Sequence, residues 1–155
     1  MRNSRADIDE FLSAKRIVVA GVSRKPEDFS RTLFREFLHR GYEAIPVHPE
    51  AESIEDIRVR RRIDEVHPAP ENLLIMLPPD EALGVVREAI EAGVRRIWLY
   101  GGATAGSASP KAIDLCDRAG VACIASECPF MYLPNSGWIH GVHRFFKILT
   151  GSMPR

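Results

Sequence analysis

The 155-residue chain has no stretch approaching the ~20 consecutive apolar positions of a membrane-spanning helix, and its first ten residues lack the apolar core of a secretion signal. A cytoplasmic protein without membrane attachment is therefore expected. Nor does one sign of charge predominate. Its 21 Lys and Arg are matched by 21 Asp and Glu, so no global field draws the chain to nucleic acid or to an anionic membrane. Cysteine is scarce. Cys116, Cys123 and Cys128 are odd in number and form no C-x-x-C pair, which fits reduced thiols better than a disulfide framework. Three glycine motifs are missing as well. The full G-x-G-x-x-G fingerprint, the P-loop G-x-x-x-x-G-K-[ST] and the G-x-S-x-G elbow are all absent, which removes the standard dinucleotide, P-loop and α/β-hydrolase readings. No paired-carboxylate signal stands out either, because Asp80 and Glu81 open a helical pattern, where acidic residues are expected. The chain thus shows no assembled catalytic centre. Without repeats, linkers or low-complexity tracts, residues 1–155 read as one domain, long enough to bury roughly 70% of its unfolded surface.

What is present is alternation. Arg16 to Ala20 is a short β-branched run ended by Gly21, the pattern of a strand buried on both faces. Ser30 to Arg40 places Leu33, Phe34, Phe37 and Leu38 at helical spacing, with Gly41 at the stop. Further strands are predicted at Ala44–Val47, Asn72–Met76, Arg96–Tyr100 and Val121–Ile124, and further helices at Pro79–Ala92 and Pro110–Ala119. Pro46 predicts an edge position or an irregular strand end for the second strand. The stretch from Glu50 to Pro70 is short-patterned and heavily charged, and assigns no clear element. Strands separated by helices need right-handed crossovers, so the fold class is α/β: a doubly wound, Rossmann-like parallel sheet of about five strands with helices on both faces.

In such a sheet, ligands bind beyond the carboxyl ends of the strands at the switch point of strand order. The loop Gly21-Val22-Ser23-Arg24-Lys25, between the first strand and the first predicted helix, is expected there. Gly21 permits close backbone approach, Ser23 brings a hydroxyl, and Arg24 and Lys25 bring charge. The following helix, with Ser30 and Arg31 in its first turn, adds its dipole, and together these make an anion cradle. The plainer reading is a turn glycine with two solvated cations. After the second strand come Val47-His48-Pro49, where an NAD site offers an acidic residue to the ribose, and Glu50 keeps that possibility open.

These residues resemble the CoA-binding domain family, small Rossmann-like proteins akin to the nucleotide-binding part of the succinyl-CoA synthetase α subunit. The likeness covers about residues 5–130. It is carried by Ile17 to Ser23, Lys25-Pro26, Gly41 to Pro49, Leu77-Pro78-Pro79, Trp98 to Gly102 and Glu127-Cys128-Pro129. It implies coenzyme A as ligand, with Gly21, Ser23 and Lys25 at the pyrophosphate and His48 and Pro49 bordering the nucleotide. Pro78, with Gly101 and Gly102, would then shape the pocket floor, and Pro79 and Cys128 are further candidate contacts. Two departures stand out: His48 replaces the family's usual Asn, and residues 130–155 extend past the usual end.

That extension carries Trp138, Ile139, Val142, Phe145, Phe146 and Leu149 at helical spacing, predicting a docking helix or a face for a second copy or a protein partner. Cys128, His140 and His143 with Glu127 invite a zinc reading, but three ligands without finger spacing argue against a metal. Cys128 is alternatively a thiol able to pair with that of coenzyme A, or a small buried residue before a proline turn. The run Arg58 to Arg62 is flanked by acidic residues and reads as a solvated face. The expected function is binding of coenzyme A or an acyl-CoA by a carrier, sensor or regulatory module without catalysis of its own. The alternatives are an NAD(P)-binding oxidoreductase-type protein and a ligandless interaction protein.

Overall fold

A computed structural model describes residues 3–101 and 106–134. In chain order the elements are α1 (Arg5–Ser13), β1 (Arg16–Ala20), α2 (Phe29–His39), β2 (Glu43–Val47), β3 (Ser53–Ile54), β4 (Ile57–Arg58), β5 (Asn72–Ile75), α3 (Pro79–Glu91), β6 (Arg96–Tyr100), α4 (Pro110–Ala119) and β7 (Ala122–Glu127). Two short 3-10 turns, Ile63–Glu65 and Pro129–Met131, accompany them. Among the described residues no helix is long and apolar enough to cross a membrane.

Five strands form one parallel sheet in the order β2-β1-β5-β6-β7. Alternation along each strand sends side chains to opposite faces. Ile17 and Val19 of β1 and Trp98 of β6 pack with Phe11, Phe34 and Phe37 of α1 and α2. Val18, Ala20, Ile97 and Leu99 face the other way, against Val86 of α3 and Cys116 of α4. Both faces are covered, so the sheet is doubly wound, as the apolar runs of β1 and β6 require.

Pro46 lies in β2, the edge strand, paired through Val19 to β1 on its inner side. The outer side is covered by the returning chain: the Arg60 N–H donates to the Pro46 carbonyl at 3.0 Å and the His48 N–H to the Arg60 carbonyl at 2.9 Å. A proline is tolerated there because its missing N–H deprives no interior neighbour.

Three features depart from the sequence expectation. Residues 5–13, to which the sequence assigns no element, form α1, capped where the Asp7 N–H donates to Ser4 Oγ at 3.1 Å and anchored by buried Ile8 and Phe11. The charged 50–70 stretch holds the antiparallel hairpin β3–β4, turned at Glu55 and Asp56 with φ of 51° and 61°. Lastly, β7 runs three residues beyond Ile124, through a register shift that leaves Ser126 at φ 61° and pairs Tyr100 with Glu127. The extra residue is a β-bulge, and it turns Glu127 into the protein, where only 5% of it is exposed.

Candidate functional site

From β1 the chain crosses to β2 on one side, and later to β5 on the other, so the order reverses between β1 and β5. The loops after these two strands therefore meet at the carboxyl edge, where such sheets bind ligands. The meeting is close. Gly21 has φ +97°, and a Cβ placed on it falls 2.3 Å from the Met76 carbonyl oxygen. The glycine is thus demanded by the neighbouring loop as well as by the turn.

Two clefts flank this contact. The first, about 370 Å³, opens between the ends of β1 and β2; Gly21, Val22 and Ser23 line it from one side and His48 and Pro49 from the other. Its floor is largely apolar, with Val47, Ile63, Leu77 and Val85, while Arg61, Glu81 and Glu88 supply charge. Apolar walls with a few placed polar groups suit a heterocyclic base. The second cleft, about 300 Å³, lies across Leu77 and is lined by Phe29, Ser30, Pro78, Pro79, Tyr100 and Ser107 among others.

The loop between β1 and α2 is wired internally. Ser23 Oγ donates to Asp28 Oδ2 at 2.5 Å and accepts from the Lys25 N–H at 3.1 Å. The Ser23 N–H donates to Ser30 Oγ at 2.9 Å. Arg31 braces the same loop from α2, donating to the carbonyls of Ser23 and Arg24 at 3.2 Å each, while Glu55 of the hairpin turn accepts from it at 2.8 Å and from Arg35 at 2.6 Å. These guanidinium groups hold the Glu55 carboxyl below its usual pKa, Arg31 foremost. Arg24 is exposed and ion-paired to Glu50 at 3.1 Å. A phosphate on this loop must therefore compete with Asp28 for the Ser23 hydroxyl, and meets cationic side chains from Arg24, Lys25 and Arg61.

His48 caps its own turn: Nδ1 accepts from the N–H groups of Glu50 and Ala51, each at 3.0 Å. This tautomer leaves the proton on Nε2 as a donor. Burial first, then the Arg24 charge, lower the imidazole pKa from 6.5, with Glu50 opposing. The side chain is a neutral donor near pH 7 and gains its charge only at a lower pH than an ordinary imidazole.

Around the second cleft the polar groups are engaged. Ser107, 1% exposed, donates to the Ile75 carbonyl and accepts from the Leu77 N–H, both at 2.9 Å, tying the loop after β6 to that after β5. Burial and the adjacent Cys128, to which it is hydrogen-bonded, raise the Tyr100 phenol to about 12, so it keeps its proton.

Of the residues named from sequence, Gly21, Val22, Ser23, His48 and Pro49 meet in the first cleft, and Ser30, Pro78 and Pro79 in the second. Arg24, Lys25 and Arg31 belong to the loop rim and its bracing. Gly101 lines neither cleft; a Cβ there falls 2.3 Å from the Ser126 backbone, so the bulge dictates it. Cys128 is 4% exposed and packs in the core with Phe130 and Trp98. Gly102, His140, His143 and the helix predicted over 137–149 lie outside the described residues. Sequence reasoning did not single out Arg61, Leu77, Ser107, Tyr100 or Phe29 as site residues. Arg61 sits in a charge run that reads as solvent-facing, and Ser107 carries no local signal because its partners are 30 and 32 residues away.

Comparison with known proteins identifies relatives of the same fold. The uncharacterised protein YneT of Bacillus subtilis is 27% identical over 100 residues, covering 64% of this chain and 74% of that protein. A conserved hypothetical protein of Pyrococcus furiosus, known in structure, is 26% identical and superposes with a TM-score of 0.66 over 73% of this chain and 94% of its own. A Pyrococcus horikoshii hypothetical protein at 24% identity shares the fold, with a TM-score of 0.70 over 80% of this chain and 85% of its own. Residues 15–134 match the family described as CoA binding domain. With that match spanning both loops of the switch point and both clefts, the chain belongs to the CoA-binding domain family.

Proposed function

We propose that this protein binds coenzyme A, with the adenine in the first cleft and the pyrophosphate on the loop 21–25, and serves as a carrier, sensor or regulatory module. One observation carries the reading: an apolar cleft of about 370 Å³ beside the strand-order switch, walled by Val22 and Pro49, with His48 next to it. The neutral imidazole offers Nε2–H to a ring nitrogen or a phosphate oxygen, and Glu81 can accept from an exocyclic amine. The side chains of Arg24, Lys25 and Arg61 bring positive charge to the rim, which a nucleotide's phosphates balance. Glu50, the acid an NAD site would use on its ribose, is drawn to Arg24 instead.

Isothermal titration of the full chain with coenzyme A, NAD and NADP in parallel tests the assignment. Selective binding of coenzyme A is expected, weakened roughly tenfold or more in a Ser23→Ala/Lys25→Ala variant, as loss of one charge-assisted contact and one hydrogen bond implies. Preference for NAD or NADP would overturn the ligand, and unchanged affinity in the variant would overturn the loop's role.

A further inference from the structure

We propose that the second cleft receives the acyl group of a coenzyme A thioester, so that the protein discriminates short, uncharged acyl-CoA from free coenzyme A. The proposal rests on the placement of the nucleotide end in the first cleft. Leu77 lines both clefts, so a ligand anchored by its nucleotide in the first and crossing this residue arrives in the second.

Three observations define what that cleft takes. Among the described residues lining it, none carries a charged side chain, and Phe29, Met76, Pro78, Pro79 and Tyr100 make its walls. A phosphate or carboxylate finds no cationic side chain among these residues to pair with. Second, the side-chain hydroxyls already have partners. Ser107 is bonded to Ile75 and Leu77, Ser30 to the Ser23 N–H, and Tyr100 to Cys128. An incoming polar group must compete with the bonds that Ser107 makes as donor and acceptor, whereas a hydrocarbon leaves them intact; Ser30 is engaged as an acceptor. Third, Phe29 is the large apolar side chain left exposed among the described residues, at 40%. Its ring stands 5.7 Å from that of Tyr100 and 5.8 Å from that of Phe130, an aromatic wall whose remaining exposed area gains from burial.

The test titrates the full chain with free coenzyme A, acetyl-CoA, butyryl-CoA and succinyl-CoA at one salt concentration. Each buried methylene tightens binding roughly fourfold, so butyryl-CoA is expected to bind more than tenfold tighter than acetyl-CoA. Succinyl-CoA, of similar length but ending in a carboxylate, is expected to gain nothing over acetyl-CoA. Phe29→Ser is expected to collapse the butyryl-to-acetyl ratio. Equal affinities across the series, an equal gain for succinyl-CoA, or a ratio untouched by Phe29→Ser would each overturn the acyl pocket while leaving coenzyme A binding standing. Failure of every ligand, free coenzyme A included, would remove the underlying assignment and this one with it.

Discussion

Two residues on the carboxyl edge of the sheet hold their places for reasons that make sharp predictions. Gly21 combines a left-handed backbone, φ +97°, with the Met76 carbonyl 2.3 Å from where a Cβ would stand. Strain and a backbone collision then add, and Gly21→Ala is expected to cost about 3 kcal/mol or more of folding stability, read from urea unfolding. A loss below about 1 kcal/mol would mean that the two loops separate easily. His48 predicts a pH dependence. Its pKa in the folded chain is depressed, so the unfolded state takes up the proton first and stability falls as pH drops below ~6.5. Asparagine at this position keeps an acceptor for the Glu50 and Ala51 N–H groups but does not titrate. Urea midpoints at pH 7 and pH 5 should therefore differ less in His48→Asn than in the parent; parallel losses would assign the effect to other groups.

At the scale of elements, the hairpin β3–β4 reaches the loop after β1 through one carboxylate. Glu55 sits in a turn whose two residues both have left-handed φ, a conformation that favours Gly, Asn or Asp. Its side chain accepts from Arg31 and Arg35, and Arg31 in turn holds the Ser23 and Arg24 carbonyls. Glu55→Ala is expected to cost about 2 kcal/mol at pH 7, since charge-assisted bonds to a half-buried arginine are lost. The carboxyl's pKa is depressed, so its contribution is present above ~4.3 and fades as pH falls through the lower folded value. The gap between parent and variant should thus narrow at pH 3. A constant gap would point to the turn's backbone, with no part played by the charge. This device also explains what the sequence hid. The hairpin has no Asn-Gly or Asp-Gly signal, and its anchor is an arginine pair 20 and 24 residues away. In the same way α1 has few apolar residues to mark it, and the last part of β7 depends on a bulge that no periodicity encodes. The central strands are legible because β-branched runs such as Ile17-Val18-Val19 are covered on both faces, and burial of that kind leaves its mark in composition.

At the scale of the whole molecule, the described residues place nearly all their candidate chemistry on one edge of the sheet. Gly21, Ser23, His48 and Pro49 are legible as candidate-site residues because strand ends and turn glycines mark the carboxyl edge within the sequence itself. Arg61, Ser107 and Tyr100 are not, because their positions follow from how distant loops cross. This arrangement couples ligand to fold. A nucleotide spanning the loops after β1, β2 and β5 bridges three segments that the sheet brings together only when folded, so its binding free energy adds to folding stability. Coenzyme A at about 100 times its Kd should stabilise the chain by about 2.7 kcal/mol, raising Tm by roughly 5–10 °C for a domain of this size. Ser23→Ala/Lys25→Ala is expected to lower the ligand-free Tm only slightly, since Lys25 is exposed, and to shrink the ligand-induced rise at the same concentration. Melting curves with and without ligand separate the two effects. An undiminished rise in the variant would place the bound nucleotide away from the loop, while a large drop without ligand would make the Ser23–Asp28 bond a structural requirement of the switch point.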